Sequence, residues 1–151
     1  MDRILLLISH KENRRLLGDF LSKRYEVLLG EDERILEEKF DLCIIDGLAL
    51  TKYRRQVQAR IDGQKPVLLP VLLLTSRHNV NMVTANLWQV IDDLLVTPIE
   101  KAELLARVES ILRSRRLSLE LKEIRMALDT SEKKVERLQE ELDRLNQLFQ
   151  T

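Results

Sequence analysis

"DLCIIDG", residues 41–47, carries four apolar residues in succession to one carboxylate, Asp46, and a glycine then lets the chain turn away. An apolar run of strand length without alternation fits a strand buried on both faces, as in the interior of a parallel sheet. Four further runs share this character: "RILLLIS" (3–9), "YEVLL" (25–29), "VLLLTS" (71–76) and "DDLLV" (92–96). The segments between them have helical spacing. Leu16, Leu17, Phe20 and Leu21 stripe a first helix, Ile35, Leu36 and Phe40 a short second one, and Tyr53, Val57 and Ile61 a third over residues 51–61. Residues 79–91 read as a fourth helix, and Leu104, Leu105, Val108, Ile111 and Leu112 define a fifth. Five strands alternating with five helices predict an α/β fold, a doubly wound parallel sheet covered on both faces and joined by right-handed crossovers. In open sheets of this kind the ligand crevice lies beyond the carboxyl ends of the strands. Ser9, Asp46, Thr75 and Thr97 are therefore expected to converge there, with His10 one step further on.

A chain of 151 residues is one ordinary domain with length to spare for an appendage. Charged residues make up 33%, above the roughly 25% usual for globular domains, which points to a long solvated helix. The single cysteine, Cys43, has no partner for an internal disulfide and reads as a small buried side chain in a reducing compartment. No apolar run is long enough for a signal peptide or a membrane span, so the expectation is a cytoplasmic protein with no membrane partner. Net charge is zero, which gives no general attraction to nucleic acid, and the arginine pairs at 14–15, 54–55 and 115–116 read as solvated surface.

Local patterns supply further expectations. "SHKE" (9–12) has the form of a capping box, with Ser9 and Glu12 satisfying the first amides of the first helix. "TPIE" (97–100) likewise reads as a helix start with Thr97 as cap, Pro98 in the first position and Glu100 reaching back. His10 has no second histidine or cysteine beside it and is expected to be a solvent-exposed loop residue. Trp88 is expected in the core or at an interface.

The chain also resembles a known family. "DLCIIDG", "PVLLLTS" and above all "DDLLVTPIEKAELLARVESILR" are similar to the receiver domain of two-component response regulators, whose fifth strand and helix run Asp-Asp-Tyr-Leu-x-Lys-Pro and then Glu-Leu-x-x-Arg. The resemblance covers about residues 3–113. It implies a five-stranded sheet in the order 2-1-3-4-5, with Asp46 at the phosphoacceptor position and Thr75 at the hydroxyl that senses phosphorylation. It also implies a cis peptide before Pro98, which conflicts with a first-turn proline.

The departures from the family pattern bear on chemistry. The family's acidic pair falls on Ile8 and Ser9, or with a one-residue gap on Ser9 and His10; its lysine falls on Thr97 and its switch aromatic on Leu94. Phosphoryl transfer to a carboxylate needs a divalent cation on oxygen ligands and a fixed positive charge against the phosphoryl oxygens. The pocket of Ser9, His10, Thr75 and Thr97 around Asp46 is thus expected to be degenerate, a pseudo-receiver without catalysis, metal or cofactor. Mg2+ enters only if Asp46 is phosphorylated in an atypical site, as in a phosphorelay.

Beyond residue 113 the period changes. Leu121, Leu128, Val135, Leu142 and Phe149 fall at heptad position a, and Leu117, Ile124, Leu138 and Leu145 at d, with Ser131 interrupting the line. A seam of more than four heptads without glycine or proline predicts a coiled coil and hence a homodimer. The division is a receiver-like domain over 1–113 and a coiled-coil helix over 114–151, with the fifth helix running into the coil without a stop. The expected role is a non-catalytic regulatory and dimerisation module that passes a signal from the lobe to a C-terminal output, with a protein signalling partner at the lobe. Three alternatives stand beside it. Asp46 could still accept phosphate; the chain could be the N-terminal part of a sensor kinase or of a regulator whose missing downstream domain binds RNA or DNA; or the lobe could be an enzyme of unrelated chemistry.

Overall fold

The computed structural model describes residues 1–82 and 87–150. Strands β1 (Arg3–Leu7), β2 (Glu26–Leu29), β3 (Leu42–Asp46), β4 (Val71–Ser76) and β5 (Asp93–Thr97) form one parallel sheet in the order β2-β1-β3-β4-β5. Helices α1 (Lys11–Leu21), α2 (Gly47–Gln64) and α3 (Lys101–Phe149) flank it. This is the doubly wound architecture and strand order that the resemblance implies.

Alternate residues of each inner strand feed two cores. Ile4, Leu6, Ile8, Leu42, Ile44, Leu72, Leu74 and Leu95 pack with Leu21 of α1 and with Leu104, Val108 and Leu112 of α3. Leu5, Leu7, Cys43, Ile45, Val71 and Leu73 face the other way, onto Leu50, Tyr53 and Val57 of α2. Each fully buried leucine or isoleucine contributes about 1.5–3 kcal/mol, so the continuous apolar runs are what hold both layers to the sheet. Strand β2 departs from the expectation of burial on both faces. It is an edge strand, with Val27 and Leu28 half-buried and Leu29 exposed.

Several helices differ from the periodicity. The second is a 3-10 turn over Glu33–Glu37, braced by Arg60 of α2, whose Nε donates to Leu36 O at 2.9 Å while its guanidinium lies over the Phe40 ring. The third begins at Gly47, four residues earlier than its stripe, because Asp46 caps it directly. In place of a helix over 79–91 there are 3-10 turns at Val80–Met82 and Leu87–Gln89, and residues 83–86 of that expected helix lie outside the described residues. Trp88 sits on the second turn, 48% exposed, rather than in the core.

The fifth helix does run on without interruption, as α3, 49 residues or roughly 74 Å at 1.5 Å per residue. Its first four turns descend along the sheet, and its contacts with the lobe end past the amino ends of the strands. There Arg115 is buried, not solvated: Nε meets Asp41 Oδ1 at 3.1 Å and a terminal nitrogen donates to Leu68 O at 2.8 Å. Asp41 Oδ2 in turn accepts the Arg3 amide at 2.8 Å, and Ser118 Oγ accepts the Leu68 amide at 2.9 Å. Arg116 pairs with Asp2 at 2.9 Å, and the Tyr25 hydroxyl donates to Glu109. These polar contacts tie the helix to the segments leading into β1, β2, β3 and β4.

Two outcomes follow from this clamp. Arg115→Ala leaves the partly buried Asp41 without its cation, and is expected to lower lobe stability by about 2–3 kcal/mol, measured as faster alkylation of the buried Cys43 in moderate urea. Burial and the bond to Glu109 push the Tyr25 phenol up from 10.0 to about 12. A raised folded-state value stabilises fully below the ordinary phenol range, and that stability is lost as pH rises through about 12. Between pH 10 and 12, Tyr25→Phe should therefore lose less melting temperature than the parent chain.

Candidate functional site

Strands β1, β3, β4 and β5 all end at the face opposite the clamp, and an open crevice of about 520 Å³ lies there. Asp46, Thr75 and Thr97 line it, as the topology predicts, together with Asn13, Thr51, Ser76 and Asn79. Its apolar wall comes from Leu48, Leu50, Leu73, Leu74 and Leu87. Asp46 supplies the one carboxylate among these lining residues, and none of them is cationic.

The carboxylate is engaged on both oxygens. Oδ1 accepts the Ala49 amide at 3.0 Å, which makes Asp46 the N-cap of α2. Oδ2 accepts the Ser9 amide at 2.8 Å and the His10 amide at 3.3 Å, which fixes the loop between β1 and α1. Ser9 and His10 thus reach Asp46 through the backbone, and their side chains are not part of the crevice lining. The expected capping box is not formed: α1 starts at Lys11, His10 is its N-cap, and His10 Nδ1 accepts the Asn13 amide at 3.2 Å. The physical reason is the pull of Asp46 on the Ser9 and His10 amides, which moves the helix start one residue on. Glu12 instead pairs with Arg15 at 2.7 Å, and that guanidinium holds its carboxyl below the usual range.

Thr97 is likewise not a helix cap. The Thr97–Pro98 peptide is cis, as the resemblance implies, and α3 begins later, at Lys101, with Glu100 as an N-cap that makes no side-chain bond. Thr97 Oγ1 donates to Thr75 O at 3.3 Å, joining the ends of β4 and β5. The register pairs Thr75 with Val96 and Ser76 with Thr97, so Ser76 and Thr97 sit level at the strand ends with Thr75 one residue below them.

Magnesium ligation, which the fold would imply, can be tested against this donor set. A hard dication takes oxygen ligands, and magnesium is usually held by one or two carboxylates together with waters and substrate phosphate. Neither Ile8 and Ser9 nor Ser9 and His10 supplies a further acid, Asp46 already serves three amides, and no group of three His, Cys, Asp or Glu side chains converges among the described residues. One carboxylate already shared among three amides is a poor fit for magnesium.

Four crevice residues escaped the sequence reading. Ser76 is one position past Thr75 on β4, and Asn79 follows in the turn; Asn13 lies in the first turn of α1 and Thr51 at the start of the second turn of α2, both helices starting at this end of the sheet. The proximity of Asn13 and Thr51 depends on where their helices begin, which is set by Asp46 and not by hydrophobic spacing.

No protein-family model and no curated protein matches the chain. Solved structures do. NtrX from Brucella abortus in complex with ADP is similar over 82% of this chain, at 20% identity and a TM-score of 0.69, and this chain spans 29% of it. A response regulator receiver modulated diguanylate cyclase from Pelobacter carbinolicus is similar over 80% of this chain and 99% of its own, at 25% identity and a TM-score of 0.62. A fusion carrying the trimeric coiled coil of yeast Spc42 covers 97% of this chain and 94% of its own, at 18% identity and a TM-score of 0.65. The chain therefore has the fold of response regulator receiver domains, followed by a long helix of coiled-coil type. No helix among the described residues is long and apolar enough to cross a membrane.

Asp46→Ala removes a helix cap and a loop anchor together and is expected to cost about 2 kcal/mol of stability in urea unfolding, whereas Asp46→Asn, which keeps an N-cap acceptor, should cost about half as much.

Proposed function

We propose that this chain is a non-catalytic regulatory and dimerisation module of two-component type, a pseudo-receiver lobe on a coiled-coil stalk. The observation that carries the reading is the state of Asp46. Its oxygens accept three backbone amides, and it lines a crevice that offers neither a second carboxylate nor a lysine. A phosphoryl group arriving at that carboxylate would find no counter-charge. It would also displace the amide bonds that start α2 and hold the β1–α1 loop.

Input then comes from occupancy of the lobe by a protein or small ligand, and output is a change in the geometry or population of the paired coil. Two properties support this division. The crevice and the seam lie at opposite ends of the molecule, and α3 connects them as one helix without a break. The seam itself is unpartnered in the single chain, with Leu121 at 48%, Leu128 at 58% and Leu142 at 50% exposure, and an isolated helix of this kind gains its stability from a partner. A cytoplasmic setting agrees with the buried, reduced Cys43.

The test is direct. Incubation with magnesium and acetyl phosphate, read by intact mass, is expected to add no phosphoryl group, and beryllofluoride should leave the melting temperature unchanged. A phosphoryl adduct that disappears in Asp46→Asn would replace this reading with that of a working receiver.

A further inference from the structure

We propose that the seam of α3 binds a second copy of this chain in parallel and in register, so that both lobes hang at the same end. The inference rests on the coiled-coil reading above and adds its orientation.

Two features of the helix decide between arrangements, and a third leaves room for the parallel one. The first is charge. In a parallel, in-register pair Glu120 at g faces Arg125 at e of the partner helix, once on each side, and no g residue meets a like-charged e residue. An antiparallel pair that covers the whole seam matches Leu121 with Leu145, and this sets Glu132 against its own twin and Lys134 against its own twin. Sliding that pair by one heptad toward the tips removes both clashes but leaves Leu117 and Leu121 in water. Sliding it the other way sets Glu120 against Glu141. Parallel pairing alone covers the full seam without like charges in contact.

The second feature is Ser131, the polar residue at a d position. In parallel register its hydroxyl meets the identical hydroxyl, where one donates and the other accepts. In the full antiparallel overlap it would be placed against the apolar Val135.

The third is steric. Parallel pairing brings two lobes side by side, and the helix keeps them apart. At about 100° per residue, the stripe that packs on the lobe, Leu104, Val108 and Leu112, lies about 180° around the axis from Leu117, Leu121 and Ile124. The seam therefore faces away from the sheet from its first residue, and each lobe sits on the outside of the pair.

Cysteine scanning tests the orientation. Leu145→Cys under mild oxidation is expected to double in mass on a non-reducing gel, and Ile124→Cys and Leu142→Cys should do the same, so the result does not depend on one substitution being tolerated. Cys43, buried and with its thiol pushed up to about 12, is present throughout and forms no link. An equimolar mixture of tagged Leu121→Cys and untagged Leu145→Cys chains should give no mixed species; a mixed species would overturn the proposal in favour of antiparallel pairing. Sedimentation of the parent chain separates the two levels. Dimers without self-linked Leu145→Cys overturn the orientation alone, whereas monomers overturn the coiled-coil reading beneath it, and larger assemblies overturn the two-chain pair.

Discussion

The Asp46 carboxylate holds two helix starts in place at once. One oxygen terminates the orphan amides of α2, and the other gathers the Ser9 and His10 amides that lead into α1. Since α1 and α2 lie on opposite faces of the sheet, a single side chain at the end of the central strand sets the height of both layers. The crevice inherits its shape from this. Asn13 and Thr51 reach it because their helices begin where Asp46 places them, and Leu48 and Leu50 wall it because α2 starts without an intervening loop. A carboxylate serving three amides has most of its acceptor capacity taken, and the hydroxyls and side-chain amides around it are neutral hydrogen-bonding groups.

At the other end of β3, Asp41 plays a matching part. It joins the β1 backbone at Arg3 to the Arg115 guanidinium, which in turn reaches the segment before β4. The central strand is thus bracketed by two acids, one committed to helix starts and one to the base of α3. Between them the strand is wholly apolar, so its burial leaves polar demands only at its ends.

Much of this was legible in the sequence. Continuous apolar runs identified all five strands, and the heptad line, interrupted only at Ser131 and free of glycine and proline, identified α3 from lobe to tip. Sites closed by long-range polar contacts were harder to see. "SHKE" has every local mark of a capping box, yet a carboxylate 36 residues away competes for the same amides and shifts the start by one residue. "TPIE" fails as a cap for a similar reason, because its threonine belongs to the end of β5. Arg115 did leave a signal, since it continues the 104, 108, 112 stripe one step of three further on. A charged residue on a buried stripe asks for a buried partner, and Asp41 at the mouth of an apolar strand is such a partner. Edge strand β2 was overrated because an apolar run alone does not tell how many faces are covered.

Helix α3 carries two apolar stripes on opposite sides, and the few residues between Leu112 and Leu117 set the angle between them. Because the shaft has no joint, that angle is a matter of counting. Gain or loss of one residue there would turn everything beyond it by about 100°, swinging the lobe from the flank of the pair toward the groove between the shafts. Adding seven would cost only about 20° of twist and would lengthen the reach by about 10 Å. The junction thus behaves as a keyed coupling, tolerant of length in whole heptads and intolerant of anything less.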